Sequence, residues 1–196
     1  ARHCGCQPIV VALDCRFSFQ VAWPMAVICG IDEAGRGPIA GPVTAAAVIL
    51  PPHFDTTTLA DSKALDPKKR NAAFECIVNN SSWAAGWAWP EEIDAINIHN
   101  ATLLAMKRAY CDLALPADKI LVDGLFTPSL RGECEAIVKG DSSVPEIMAA
   151  SIIAKVLRDR WMVRYSWIEP GWGFDVHKGY ATPAHRSVCG TIGLSP

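Results

Sequence analysis

Four carboxylates stand out by what precedes them. Asp32 and Glu33 follow one short apolar run, Asp123 closes another, and Asp141 follows a third after Lys139-Gly140. Runs of this length read as buried strands, so the acids are expected at strand ends. If those strands are neighbours, negative charge gathers on one sheet edge, which is unfavourable unless cations neutralise it. Hard, oxygen-seeking Mg2+ or Mn2+ is the partner such a set invites. Two such ions about 4 Å apart can activate a water and stabilise a leaving oxygen in phosphodiester hydrolysis, with no need of a histidine or thiol nucleophile. The plainer alternative is that each aspartate only caps a turn, the usual meaning of Asp before Gly or Ser. Taken singly, each acid favours that alternative; the four together, with Glu33 beside Asp32, do not.

The segment Asp32-Glu33-Ala34-Gly35-Arg36-Gly37-Pro38 adds a second chemical feature. Glycines without a Cβ let backbone amides and carbonyls approach a ligand closely, so a sugar hydroxyl can be read there. A tight hairpin turn would also want glycine. Arg36 between the two glycines, next to the acids, favours ligand contact.

The elements that must position these residues follow from periodicity. Ala26 to Asp32 and Val43 to Leu50 read as a hairpin, separated by Gly35, Gly37, Pro38, Gly41 and Pro42. Asp66 to Asn79 predicts a capped helix with Pro67 in its first turn. Trp83 to Trp89 predicts a third strand with Trp83, Trp87 and Trp89 on one face. Pro90 and two glutamates open a helical region whose longest part is expected at His99 to Leu115. Lys119 to Asp123 and Glu135 to Val138 predict two further strands. Pro145 to Tyr165 carries one apolar helical face through Ile147, Ala150, Ile153, Ala154, Leu157 and Trp161, with Lys155, Arg158 and Arg164 around it. Residues 171–196 are turn-rich with one short helix. Three strands followed by alternating helix and strand indicate a mixed sheet covered by helices, an α/β class.

Composition sets the outer bounds. With 196 residues, 51% of them hydrophobic, the chain suits one ordinary domain. No apolar run approaches the roughly 20 residues of a membrane helix. Pro8 to Trp23 is the nearest thing to an export signal, but Asp14 and Arg16 interrupt it. A soluble, cytoplasmic chain without membrane partners is therefore expected. The eight cysteines are scattered, and Cys29, Cys76 and Cys111 fall in apolar stretches where small thiols pack well. His3, Cys4 and Cys6 lack zinc-knuckle spacing. A formal charge of −2 gives no overall sign of a nucleic-acid partner, so any steering must come from a local patch.

Seven short words, in order, then point to a family. Ile31 to Pro38, Gly41-Pro42-Val43, Asp61-Ser62-Lys63, Val122-Asp123-Gly124, Lys139-Gly140-Asp141, Ala149 to Val156 with Arg158-Asp159, and His177 to Tyr180 resemble the signatures of the type 2 ribonucleases H, ribonuclease HII. The resemblance runs from about Met25 to His185. It implies an RNase H-like fold with a central five-stranded mixed sheet flanked by helices. It also implies an endonuclease that cuts the RNA strand of RNA/DNA hybrids and cuts 5′ of ribonucleotides in duplex DNA, using two divalent cations. By the same resemblance Asp32, Glu33, Asp123 and Asp141 are the metal-binding and catalytic acids. Gly35, Arg36 and Gly37 match the motif that reads the 2′-hydroxyl, the group that distinguishes RNA from DNA at a given position. Tyr180 matches a tyrosine that stacks near the RNA–DNA junction.

Lys63 and Lys178 are candidates for phosphate contacts. Arg158, Arg160 and Arg164 are expected either as a basic stripe or as a solvated helix face. His177 and His185 are expected to be structural, and the protein a monomer. Relatives of this kind begin near the position of Met25 and continue past that of Pro196. Residues 1–24 are thus expected to be a poorly packed extension and 25–196 a catalytic domain with a truncated C-terminal tail. Leu125-Phe126 stand where polar residues are common in the family. Two other readings remain open: a hybrid-binding protein impaired in catalysis, and the related type 3 enzyme, whose added amino-end domain does not fit into residues 1–24.

Overall fold

A computed structural model describes residues 26–59 and 66–195. The expectations for residues 1–24 and for Lys63 lie outside the described residues. Five strands run in chain order as β1 (Ile28–Ala34), β2 (Val43–Ile49), β3 (Ser82–Ala88), β4 (Lys119–Asp123) and β5 (Glu133–Ile137). Among the described residues five α-helices accompany them: α1 (Pro67–Asn80), α2 (Pro90–Cys111), α3 (Pro145–Ile168), α4 (Phe174–His177) and α5 (Pro183–Ile192). The sheet order is β3-β2-β1-β4-β5. β1, β2 and β3 pair antiparallel, while β1, β4 and β5 pair parallel, giving the mixed sheet expected.

The alternation of side chains divides the core in two. Cys29, Ile31, Ala45, Ala47, Ile120 and Val122 pack against Ala101, Ala105 and Ala109 of α2. On the other face Ala46 and Val48 meet Phe74 and Ile77 of α1 and Ile152 and Ile153 of α3. All seven β2 residues are buried, which explains why that strand reads as an unbroken apolar run. α1 begins as its sequence predicts: Asp66 accepts hydrogen bonds from the Lys68 and Lys69 amides at 2.8 and 3.0 Å, with Pro67 next. α2 breaks at Asn97, where φ is 68°. The Asn97 side chain accepts from the Asn100 amide at 3.1 Å and so caps the second part, which ends at Cys111, short of Leu115. Cys29 is buried and Cys76 half-buried, but Cys111 is exposed near that end, contrary to the packing expected of it. The three tryptophans share a side as anticipated: Trp83 packs against the cluster that holds α1 and α3, Trp87 stacks on Trp89 with ring centres 5.6 Å apart, and Trp89 meets Trp161 of α3 at 5.4 Å.

One close approach sets the position of α3. A Cβ at Gly30 would collide with the backbone of Glu146 and Ile147, in the first turn of α3. Only a residue without a side chain lets the helix sit that low on β1. Among the described residues, no helix is long and apolar enough to cross a membrane.

Gly30→Ala therefore forces the helix off the strand. It is expected to cost more than about 2 kcal/mol, as overpacking of a tight core does, read as a lower urea midpoint at unchanged slope.

Candidate active site

β1 carries two of the four acids further inside the sheet than their sequence suggests. The strand continues to Ala34 because Ala34 pairs with Thr44 of β2, so Asp32 and Glu33 are strand residues rather than residues beyond its end. Ile31 is the register partner of Val122 in the parallel β1–β4 pair, which sets Asp32 and Asp123 side by side. Asp141 departs from expectation in the other direction. β5 stops at Ile137, and Asp141 sits four residues on, buried in a single 3-10 turn, Gly140–Ser142. That turn is entered through Lys139 at φ 58° and brings the Asp141 amide to within 3.3 Å of an Asp123 carboxylate oxygen, to which it donates.

The resulting electrostatics are unfavourable to charge. Asp32 is 5% exposed. Burial, then repulsion from Glu33 and from Asp123, pushes its carboxyl well above the usual range. Hydrogen bonds from the Ser151 hydroxyl and the Glu33 amide, the latter at 2.7 Å, oppose that shift. Burial also raises Glu33, and the Asp123 charge adds to it. Arg36 pulls the other way through a 3.3 Å contact to Oε1. The second oxygen of Glu33, Oε2, is buried with no hydrogen-bond partner. A buried, unpartnered carboxylate oxygen among neighbouring acids is a donor suited to a hard cation. Among the described residues, no three carboxylate, imidazole or thiolate side chains stand close enough to form a ready-made ion cage.

The contact from Ser151 follows from the seating of α3. Ile147 lies over Gly30, and Ser151 comes four residues later, about 6 Å along the helix. Asp32 is two residues beyond Gly30 on the same strand face, about 7 Å on. The two advances nearly match, so Ser151 lands on Asp32. Lys155 and Arg158 continue the same stripe at one-turn spacing. Lys155 pairs with Asp159 at 2.8 Å and lies 5.3 Å from the centre of the Tyr180 ring.

Arg158 corrects the expectation of a basic or solvated face, because it is fully buried. Its guanidinium donates to the carbonyls of Ala40 at 3.0 Å, Pro42 at 2.9 Å and Lys178 at 2.9 Å. Burial lowers its pKa, and the three carbonyls take the place of a counter-ion. This one side chain thereby ties the β1–β2 loop to the loop that carries Tyr180. Gly35 at φ 114° passes beside the Arg158 Nε so closely that a Cβ there would stand 2.6 Å away. Both the left-handed backbone and the space require glycine. Gly37 lies against the Tyr180 ring, and the Ile39 amide donates to the Gly179 carbonyl at 3.0 Å. Gly35, Gly37 and Tyr180 are thus brought together, with Arg36 half-exposed beside Glu33. Lys178 is in a left-handed conformation at φ 52°, with its ammonium turned back onto the Asp175 carbonyl. His177 and His185 are buried and stacked 4.1 Å apart. The Gly179 amide donates to Nδ1 of His177, and Nδ1 of His185 meets the Tyr180 carbonyl at 2.9 Å. Leu125 and Phe126 are exposed, Phe126 edge-on to His99.

Sequence alone gives no role to Ser151 or Lys155 and leaves Arg158 on a basic or solvated face, whereas it is buried. The signal that could have found them is their i, i+4, i+7 spacing, which puts three polar groups on one face of an otherwise apolar helix.

Known proteins resemble this chain in sequence and fold. The sequence profile of Ribonuclease HII matches residues 29–190. Ribonuclease HII of Treponema denticola is 51% identical over 187 residues, 87% of this chain and 94% of its own length. That of Coxiella burnetii is 52% identical over 171 residues, 87% and 85% of the two chains. The crystal structure of ribonuclease H2 from Pyrococcus horikoshii OT3 superposes with a TM-score of 0.73 at 25% identity, covering 86% of this chain and 90% of that one. The mixed five-stranded sheet and its flanking helices are accordingly an RNase H-like fold, and the protein is a nuclease of the hydrolase class. Within that class the chain belongs to the ribonuclease HII family.

Two outcomes test this geometry. Asp32 has a raised pKa when folded, so its penalty is absent below the unfolded value and grows as pH rises through the folded one. Asp32→Asn is expected to raise Tm by a few degrees at neutral pH, with the gain vanishing near pH 3. Arg158→Met leaves three carbonyls unsatisfied and is expected to cost about 3 kcal/mol or more. In hydrogen exchange the loss should appear at Ile39 and Gly179 while α2 amides stay protected.

Proposed function

We propose that this protein is an endoribonuclease that hydrolyses the RNA strand of RNA/DNA hybrids and cuts on the 5′ side of ribonucleotides embedded in duplex DNA. The products are a 3′-hydroxyl and a 5′-phosphate. The observation that carries the reading is the buried Asp32 crowded by Glu33 and Asp123, with a Glu33 oxygen left without a partner. Like charges gathered beside a substrate that is itself a polyanion suit a site that takes up cations.

Asp32, Glu33, Asp123 and Asp141 are the residues that would hold two divalent ions, Mg2+ or Mn2+. Mg2+ keeps several waters when bound by few carboxylates, so four acids without a closed cage suffice. Bound there, such ions supply a water of lowered pKa and charge stabilisation for the leaving oxygen. Asp141, whose backbone amide donates to Asp123, would complete the second ion site and help orient the attacking water. The backbone of Gly35 and Gly37, with Arg36, receives the 2′-hydroxyl of the ribonucleotide, where the absence of side chains permits close approach. Tyr180, against Gly37, stacks at the junction. Lys178, and Lys63 in the Asp-Ser-Lys word, contact phosphates. Arg158 holds the two reading loops at one separation and touches no substrate.

A duplex with a single ribonucleotide should be nicked in Mg2+ or Mn2+ and left intact in EDTA; cleavage that persists in EDTA would overturn the mechanism. Asp123→Asn should lower kcat by about a thousandfold or more, as when one member of a unit acting together is lost. Tyr180→Ala should reduce cutting at a single embedded ribonucleotide about tenfold relative to a long hybrid, the scale of one lost stacking contact.

A further inference from the structure

Past Lys155 and Asp159, α3 forms one wall of a groove of about 520 Å³, closed by the start of α1 and by the segment that includes α4 and Lys178. Four cations line it, Arg70, Arg160, Arg164 and Lys178, against the single carboxylate of Asp159. That carboxylate is already paired with Lys155. The whole chain carries a formal charge of −2, so this concentration of positive charge is local. Arg160 is partly committed: it lies 4.3 Å from the centre of the Phe74 ring and pairs with Glu75 at 3.1 Å. Arg164 joins no ion pair among the described residues. Beside it Trp167 is 76% exposed, a large ring on a polar helix face. Guanidinium groups interleaved with an open aromatic face are suited to a sugar–phosphate backbone, which offers charge and an apolar sugar edge in turn.

The groove is continuous with the site. Lys178 lines it, and the Lys178 carbonyl is held by Arg158 two residues before Tyr180. Along α3, Arg164 lies nine residues beyond Lys155, about 13 Å at about 1.5 Å per residue. That span equals about four nucleotide steps of a strand at about 3.4 Å each.

We propose that this groove binds the backbone of one duplex arm of the nucleic-acid substrate, about four steps beyond the Tyr180 side of the site, with Arg164 on a phosphate and Trp167 against the adjoining sugar. The inference rests on the function proposed above, and it gives the substrate a required length on one side of the ribonucleotide. The contact reads no sequence, because phosphates and sugars carry none.

The test compares the full chain with its Arg164→Glu/Trp167→Ala variant on duplexes that carry one ribonucleotide. Each duplex is trimmed to about three base pairs on one side or extended to about twelve, below and beyond the reach of the groove. Both side chains to be changed are exposed at their tips, and an unchanged melting curve shows that the variant is folded. In the unmodified protein, extension on one side only should lower KM several-fold. The variant should lose most of that gain with kcat little changed. The slope of log(kcat/KM) against log salt should become shallower by about 1 on the extended duplex. Equal losses on trimmed and extended duplexes, or a length gain that survives the double substitution, overturn the proposal. So does an unmodified protein indifferent to length on both sides. Anisotropy with the same duplexes in EDTA separates this from the reading of the site. Length-dependent binding without cleavage in Mg2+ would count against the nuclease mechanism, and cleavage without length dependence would count against the groove.

Discussion

Parallel pairing of β1 with β4 is the constraint on which the rest of the site depends. It places buried Asp32 next to half-buried Asp123, and the burial of Asp32 removes water that would otherwise screen the two like charges. The 3-10 turn after β5 then adds Asp141 through its backbone rather than by strand alignment. A fold that gathers carboxylates in this way carries an electrostatic penalty in the apo state. That penalty has no structural use, since apolar residues at the same positions would pack without it. It fits the cation site proposed above, where bound cations would offset it.

Seating of α3 is the second determinant, and it follows from an absence. Without a Cβ at Gly30, the first turn of the helix rests on the strand backbone, and the matching advances of helix and strand carry Ser151 to Asp32. Further along the same stripe Lys155 faces Tyr180 and Arg158 enters the core. One helix therefore reaches from the acids to both loops proposed to read the ribose and the junction. Its outer face continues into the basic groove.

Arg158 shows how a buried cation can be accommodated without a carboxylate partner. Three backbone carbonyls from two loops surround it, so removing the charge would also remove three of the bonds that hold those loops together, beside the direct bond from the Ile39 amide to the Gly179 carbonyl. The stacked imidazoles of His177 and His185 reinforce the same corner from the other side, through the Gly179 amide and the Tyr180 carbonyl. The geometry of the Gly35–Gly37 segment relative to Tyr180 is thus set by groups that lie far apart in the chain.

Much of this was legible in the residues alone. Apolar runs located all five strands, Asp66 and Pro67 marked the start of α1, and the ordered words identified the family, because these depend on local periodicity and short-range chemistry. Other features were not legible. Strand pairing drew Asp32 and Glu33 inside β1, a left-handed Lys139 turned Asp141 back towards Asp123, and the core took in Arg158. Sequence thus determined which chemical groups the protein has and which elements carry them. Only the tertiary structure decided their burial and neighbours, since charge repulsion, carbonyl solvation and close packing depend on segments that meet across a hundred or more residues of chain.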